Sequence, residues 1–167
     1  PNKLIARIAA DSKYWLWIND QLVIFEGGLK RGPSPSGTYY DPVDIAPYLT
    51  KGSNTIAILL WHFGKDGFSH INSGKAALLF EAIAPGLEIV SDASWQCALY
   101  EAYQNTEAPF PNYRMPESNI RFDARQAITN WNRTSFEGSL PGAVCVGKAG
   151  KAPFGDLAER PIPQGKN

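Results

Sequence analysis

Residues 4–25, LIARIAADSKYWLWINDQLVIF, restrict the fold more than any other stretch of the chain. Residues 4–10 alternate with the two-residue period of a β-strand. A turn-forming Asp-Ser-Lys at 11–13 follows, and alternation resumes at 14–18 with aromatic and β-branched residues that suit a pleated surface. The Asn-Asp at 19–20 tolerates positive φ and can close a tight hairpin before the chain returns. The stretch therefore predicts strand, turn, strand, tight turn and strand.

The same alternation divides the second strand of this hairpin into two faces. Trp15 and Trp17 share one face. The other face carries Tyr14, Leu16 and Ile18. At least one of the two sets must face a core, because a strand with two apolar faces buries one or both of them. We therefore interpret the hairpin as the nucleus of the fold rather than as a surface on which a ligand stacks.

More strands follow, with turn signals between them. They are predicted at residues 39–45, 55–63, 75–83, 87–90, 95–100, 120–125 and 143–146. Pro42 should keep its strand at a sheet edge or a bulge. The run at 55–63, TIAILLWHF, is apolar on both faces and should be a central strand covered on both sides. Ten short strands without an amphipathic helix predict an all-β fold, an antiparallel β-sandwich or jelly roll.

The charge balance limits the partners of the chain. Lys and Arg number 16, and Asp and Glu also number 16, so the formal net charge is zero. Without a basic field to hold a polyanion, no nucleic-acid partner is predicted. No apolar run approaches the roughly 20 residues that span a bilayer, so no membrane partner is predicted either. A predicted strand begins directly after residues 1–3, and residues 160–165 are rich in Pro and Gly. These two features predict that the sequence is a piece of a longer polypeptide.

Metal-binding patterns are scarce. His62 and His70 are the two histidines, and neither an H-E-x-x-H nor a C-x-x-C pattern occurs, which argues against zinc. Cys97 and Cys145 are better interpreted as two buried free thiols than as one disulfide. Calcium prefers oxygen ligands, for which the loops offer candidates, but turn capping is the preferred interpretation of each. These candidates are Asp41, Asp44, Asp66 and Asn72. No cofactor is therefore predicted.

Catalytic motifs are equally scarce. The G-x-S-x-G pattern of serine hydrolases is absent from the sequence, and two histidines allow few triads. Glycoside hydrolysis requires two carboxylates at a set separation. The acidic residues available for it are Glu81, Glu88, Glu101, Glu107, Glu117 and Asp123. A solvated strand face or loop is the default position of each, so no catalytic residue is predicted.

Several short runs, in a fixed order, resemble patterns of a known family. Residues 9–20, AADSKYWLWIND, are similar to the hairpin A-D-x-x-Y-x-L-x-x-N-G. Residues 40–57, YDPVDIAPYLTKGSNTIA, resemble Y-D-x-x-D-V-T-x-Y-L-x-x-G-x-N-x-I-A. The later matches are DASW at 92–95, and FDAR at 122–125 with Trp131 and LAERPIP at 157–163. Together these runs resemble the galactose-binding-like accessory domains of bacterial α-L-rhamnosidases.

The resemblance implies a role for the chain. It implies a non-catalytic β-sandwich module of an α-L-rhamnosidase-like glycoside hydrolase, packed against a catalytic (α/α) barrel and other modules of the same parent chain. Rhamnose-containing or other plant-type glycans would be its ligands, and the family implies a secreted or periplasmic location. Residues 1–158 would form the domain and 159–167 the linker to the next module. Asp20 departs from the pattern, because the family often has glycine there.

Two alternative functions stay open on the sequence. One is a dedicated carbohydrate-binding module with a sugar site at the end loops 31–40 and 64–74. The candidate sugar-binding residues border these loops: Arg31, Tyr39, Trp61, His62 and His70. Core packing is the preferred interpretation of Trp61. The other alternative is glycosidase activity in the chain itself, which the missing motifs disfavour.

Overall fold

A computed structural model describes residues 2–29, 32–68, 70–106 and 119–162. The described residues form ten strands and two single turns of 3-10 helix. The strands are β1 (Ile5–Asp11), β2 (Lys13–Ile18), β3 (Gln21–Gly28), β4 (Thr38–Asp44), β5 (Ile56–Trp61), β6 (Ala77–Ala84), β7 (Leu87–Val90), β8 (Tyr103–Asn105), β9 (Ile120–Phe122) and β10 (Leu157–Glu159), and the 3-10 turns are Ala46–Tyr48 and Ala124–Gln126. No helix in the described ranges has the length and apolar character needed to cross a membrane.

The strands assemble into two main sheets. A five-stranded sheet has the order β10-β4-β1-β6-β7, and a three-stranded sheet has the order β3-β2-β5. A small two-stranded sheet pairs β8 with β9. The pairing is antiparallel throughout these sheets except between β10 and β4, which run parallel. The predicted all-β, antiparallel sandwich is confirmed.

The core lies between the two main sheets and comes largely from the stretch at 4–25. Ala6 and Ile8 of β1 point inwards from the five-stranded sheet and are fully buried. From the three-stranded sheet, the inner face of β2 carries Tyr14, Leu16 and Ile18, all at 0% exposure. The alternation of β2 therefore places this set in the core and the tryptophan set on the outer face.

The β2–β3 hairpin closes through the two residues that the sequence indicated. Asn19 has φ 47° and Asp20 has φ 69°, the left-handed values of a type I′ turn. The Asn19 side chain donates to the Tyr48 carbonyl (2.9 Å) and accepts from the Thr55 amide (2.9 Å), joining the hairpin to the turn before β5. The Asp20 carboxylate accepts from the Thr134 amide and hydroxyl (2.7 and 2.9 Å). The aspartate thus gives the hairpin a contact that glycine could not make.

The prediction that residues 55–63 form a central strand is wrong. β5 pairs with β2 on one side and ends the three-stranded sheet. Its inner residues Ile56, Ile58 and Leu60 pack against the core, and its outer residues Leu59 and Trp61 belong to the opposite face. Apolar residues on both faces of a strand indicate that its faces are covered, but they do not specify a neighbouring strand on each edge.

Two other predicted strands do not form. Residues 95–100 and 143–146 meet through a single bridge between Gln96 and Gly142, flanked by hydrogen bonds from Ala143 N to Trp95 O (2.7 Å) and from Cys97 N to Pro141 O (2.8 Å). Trp95 instead fixes this segment by packing on Phe80 and donating from Nε1 to the Val90 carbonyl (2.8 Å). The segment is therefore fixed by the side chain of Trp95 instead of by a continuous ladder of backbone hydrogen bonds.

The cysteine prediction is half right. Cys97 and Cys145 are both free thiols, as predicted, but both are exposed rather than buried. They lie in the irregular segments at 95–100 and 143–146, where the bridge runs near the surface instead of through the core. The expected burial followed from the general preference of free cysteines, which the local surface position overrides.

The last described strand is held to the five-stranded sheet by a buried ion pair. β10 adds to β4 with Glu159 opposite Tyr40. One residue later, the Arg160 guanidinium contacts the fully buried Asp41 carboxylate and donates to the Gly28 carbonyl (2.5 Å). Tyr14 Oη and Gly28 N also donate to Asp41, at 3.0 and 2.8 Å. The predicted linker at 159–167 therefore begins with two residues that contact the sheet; the domain boundary itself stays a prediction.

Proline in β4 is accommodated as the sequence suggested. β10 pairs with β4 at Thr38–Tyr40, so at Pro42 the strand has β1 as its paired neighbour. The missing N–H of proline then faces a locally open edge.

Replacing Arg160 with Met should lower the free energy of unfolding by about 3 kcal/mol, because the buried Asp41 carboxylate would lose its charged partner. Chemical denaturation followed by tryptophan fluorescence measures this change. Arg125→Met is the matched control, since its ion pair with Asp123 leaves the arginine side chain 89% exposed and should matter little. Equal stability of Arg160→Met and the unmodified protein would contradict the prediction.

Candidate functional site

Three polar side chains form a buried cluster where β1 passes into β2. Ser12 Oγ donates to Asp11 Oδ1 at 2.8 Å, and His70 Nε2 lies 3.2 Å from both Ser12 Oγ and Asp11 Oδ1. All three residues are at most 1% exposed. Asp11 and Ser12 come from the turn between the two strands, and His70 comes from the long loop after β5. The cluster therefore ties that loop to the centre of the sandwich.

More of the same loop converges on this cluster. The Ser73 amide donates to Asp11 Oδ2 at 2.6 Å, and the Phe63 amide donates to Ser12 Oγ at 3.1 Å. His62 Nδ1 lies 3.1 Å from the Asp11 carbonyl oxygen. The Phe63 ring meets the His70 ring edge-on at a centroid distance of 5.2 Å. Both ends of the loop are thus attached to one carboxylate and its neighbouring hydroxyl.

The Asp11 carboxylate is held in its charged form. Burial would by itself raise the pKa of Asp11, but hydrogen bonds from His70, Ser73 and Ser12 outweigh burial and hold its pKa well below the usual range. A carboxylate that accepts several hydrogen bonds in this way acts as an anchor for the donors.

The cluster contains a serine, a histidine and an acid, but its geometry does not fit nucleophilic catalysis. In a catalytic triad one imidazole nitrogen takes the serine proton while the other is oriented by the acid. Here His70 Nε2 faces both partners, and His70 Nδ1 has no hydrogen-bond partner among the described residues. The Ser12 hydroxyl is fully buried and already donates to Asp11. The arrangement stabilises a loop and exposes no nucleophile.

Three of the predicted sugar-binding residues meet at this end of the sandwich. Trp61 ends β5 and packs edge-on against Phe63 (5.2 Å) and parallel to Trp15 (6.5 Å, 20° between ring planes). His62 and His70 contact Asp11 as described above. Their positions in or beside the loop at 64–74 were sufficient to predict that these three residues lie close together. His70 is fully buried, whereas Trp61 and His62 stay partly exposed, so sugar binding by this group stays a prediction.

The other two predicted residues are Tyr39 and Arg31, and Tyr39 does not join this group. Tyr39 lies in β4 of the five-stranded sheet, with the Arg160 guanidinium 5.8 Å from its ring centroid. Arg31 lies outside the described residues. Sequence reasoning also missed Asp11 as the centre of the cluster, because an Asp-Ser pair between two strands looks like an ordinary turn. Alternating apolar residues on both sides of that pair were the available signal for its burial.

A shallow hollow of about 400 Å³ lies between the two loops that the sequence singled out. Its lining residues are Pro35, Ser36, Asn72, Ser73, Ala152, Pro153 and Gly155. Asn72 Oδ1 accepts from the Gly74 amide at 2.9 Å, and Ser73 Oγ donates to the Lys75 carbonyl at 3.1 Å. The hollow therefore has a polar rim whose side chains also shape their own loop.

The suggested calcium ligands are used elsewhere. Asp41 holds Arg160, Asp44 accepts from the Leu4 and Ala46 amides, and Asp66 accepts from the Asn72 amide. Across the described residues, no group of three or more His, Cys, Asp and Glu side chains is arranged to hold a metal ion.

Fold and site together define a β-sandwich domain in which buried acids hold a loop and a C-terminal strand. Among solved structures, the chain resembles part of GH78 rhamnosidases. It aligns over 98% of its length with a GH78 family rhamnosidase of Bacillus sp. GL1, at 28% identity and a TM-score of 0.79. It aligns over 97% with an α-L-rhamnosidase from Dictyoglumus thermophilum at 20% identity and a TM-score of 0.66, a likeness of fold alone. The chain spans 17% of the length of each. No family model matches the chain, and neither does any curated protein.

Acidification should destabilise the protein through Asp11. Because its folded pKa lies below the unfolded value of 3.8, its contribution is present above that value and is lost as pH falls below it. Asp11→Asn should unfold about 3 kcal/mol more easily at pH 7, with the difference from the unmodified protein shrinking between about pH 4 and pH 2. Urea unfolding across this range measures both effects. Asp156→Asn, at an exposed position, is the control. A pH-independent difference for Asp11→Asn would contradict the assignment.

Proposed function

We propose that the chain is a non-catalytic accessory β-sandwich domain of an α-L-rhamnosidase-like glycoside hydrolase. In this role it packs against the catalytic domain of the same polypeptide and helps to shape the surroundings of the active site. The parent protein hydrolyses α-L-rhamnosides, and this domain contributes structure rather than chemistry.

One observation carries the proposal. The whole chain follows the fold of a GH78 family rhamnosidase over 98% of its own residues, yet it spans 17% of that structure. A match that is complete for the shorter chain and partial for the longer one is what a single domain of a multidomain enzyme gives. Fold alone does not assign function, so the 28% identity over the full domain supports the specific family.

The polar clusters support the non-catalytic part of the proposal. The buried carboxylates of Asp11 and Asp41 are both saturated by donors from the chain itself. The half-exposed Glu81 carboxylate pairs with Arg7 at 2.7 Å. A glycosidase needs one carboxyl group that can give up a proton beside another that stays charged. None of these three acids is left available for that division of roles.

The isolated 167-residue chain should not release nitrophenol from p-nitrophenyl α-L-rhamnoside, whereas the longer polypeptide that contains it should. Absorbance at the nitrophenolate band measures both. Turnover by the isolated chain that disappears in Glu81→Gln would overturn the proposal. Turnover that neither Glu81→Gln nor Asp11→Asn changes would come from a contaminating enzyme. The assay would then be repeated after further purification.

A second candidate function is carbohydrate binding in the hollow between residues 33–37 and 72–73. The hollow of about 400 Å³ supports it, because its size suits one sugar ring and its rim offers Ser36 and Asn72 as hydrogen-bonding side chains. It differs from the predicted sugar site, since Trp61, His62 and His70 do not line it.

If the hollow binds sugar, L-rhamnose or galactose at millimolar concentration should shift the backbone amide resonances of residues 35–36 and 72–73, measured by NMR with and without calcium. Asn72→Ala should weaken the response at least tenfold, because one missing hydrogen-bonding group removes about 1.4 kcal/mol or more of binding free energy. Gln21→Ala, on an exposed position of β3, is the control. Absence of shifts would leave the packing role as the function.

A further inference from the structure

The outer side of the three-stranded sheet carries an unusual set of side chains. In an antiparallel sandwich one face of each sheet packs on the core and the other is normally polar. Here the side away from the core presents Trp15, Trp17, Leu22, Phe25, Leu59 and Trp61, which we call the outer aromatic face. The strands of this sheet are therefore apolar on both sides, although one side alone faces the core.

Part of the outer aromatic face is already covered by the chain. The Trp131 ring packs edge-on against Trp17 at a centroid distance of 5.3 Å. At the other end, Trp15 packs against Trp61 (6.5 Å) and against Phe25 (6.2 Å). Phe25 remains 58% exposed there. A contiguous exposed apolar patch of this kind marks a surface that another body covers.

We propose that the outer aromatic face is the surface on which a neighbouring domain of the same polypeptide packs. This inference rests on the proposed function and names the contact surface for it. The partner surface is apolar and carries little charge, because Lys13 and Glu26 at the rim pair with each other at 3.6 Å. Interfaces between domains of one chain commonly combine an apolar centre with such a polar rim.

The path of the chain favours a covalently linked partner over a separate one. Arg160 donates to the Gly28 carbonyl, Gly28 pairs with Lys13, and Lys13 pairs with Trp61. Gly28, Lys13 and Trp61 lie side by side across the three-stranded sheet, whose strands lie about 4.8 Å apart, so Gly28 is about 10 Å from the strand that carries Trp61. The Arg160 guanidinium therefore lies at the β3 edge of the sheet that carries the outer aromatic face. A domain that follows this residue on a short linker would begin near that edge.

The shape of the face disfavours a sugar as its occupant. A pyranose stacks on an open, flat ring and needs hydrogen-bonding groups beside it. The Phe25 ring stands at 87° to the Trp15 ring, so the two rings do not form one flat platform. Leu22 and Leu59 add aliphatic surface on the same side. An uneven apolar surface of this kind suits the interdigitated side chains of a packed protein interface.

Hydroxyl-radical footprinting of the 167-residue chain and of the longer polypeptide tests the proposal. Trp15, Trp61 and Phe25 should be oxidised at least fivefold more slowly in the longer polypeptide. Phe68 and Leu99, which are 81% and 85% exposed elsewhere on the domain, should react equally in both. Protection at Phe68 or Leu99 without protection of the outer aromatic face would overturn this inference and leave the packing role intact. Protection nowhere on the domain would overturn both.

Two matched substitutions separate packing from folding. Phe25→Asp and Phe68→Asp each place a charge at an exposed phenylalanine, so the isolated chain should keep its melting temperature in both. In the longer polypeptide, Phe25→Asp should restore fast oxidation of Trp15 and Trp61, and Phe68→Asp should not. Identical behaviour of the two variants would overturn the inference. So would dimers of the isolated chain that Phe25→Asp dissociates, or quenching of tryptophan fluorescence by L-rhamnose that Phe25→Asp abolishes.

Discussion

The carboxylate of Asp41 accepts hydrogen bonds from three parts of the chain that are far apart in sequence. Tyr14 reaches it from β2, Gly28 from the end of β3, and Arg160 from the residue after β10. An isolated charge at full burial would be destabilising by several kcal/mol, so the two main sheets and the C-terminal segment are held in a mutually dependent arrangement. Burial and the nearby Asp41 charge also raise the pKa of Tyr14, which keeps its hydroxyl a donor. Gly28 has φ 86°, and a side chain there would meet the Ser12 carbonyl, so glycine is required at this junction.

Local pattern was sufficient for the elements whose contacts are local. The period-two alternation of β1 and β2 and the Asn19–Asp20 turn were predictable, because strand faces and turn dihedrals are set by neighbouring residues. β10 was not predicted, since three residues in parallel pairing depend on an ion pair with Asp41 that no local pattern reveals. Residues 95–100 alternate like a strand but are fixed by one anchored tryptophan. The sequence of β5 showed apolar residues on both faces, but it did not show that the strand ends its sheet with β2 as its paired neighbour.

The candidate site was likewise predictable only in part from the sequence. His62, His70 and Trp61 could be grouped because they flank one long loop. The centre of that group, Asp11, was interpreted as a turn residue, since sequence does not distinguish an aspartate that caps a turn from one that is buried beneath a loop. The physical difference is the number of donors: Asp11 accepts from Ser12, His70 and Ser73, and the last two lie about sixty residues away in the chain. Tyr39 was grouped with them by loop position, yet its strand belongs to the other sheet.

The contact between Arg160 and Asp41 joins residues 119 positions apart, and β10 pairs with a strand formed from residues 38–44. Contacts of such separation form late, because a long loop must close before they stabilise anything. During synthesis the two sheets can assemble around the stretch at 4–25, but the Asp41 carboxylate lacks its cation until the residues around 160 have left the ribosome. The domain therefore cannot complete its folding before the residues around 160 have emerged. A charge buried in the first third of the chain thus delays the last step of folding until a cation from the last tenth of the same chain is free to reach it.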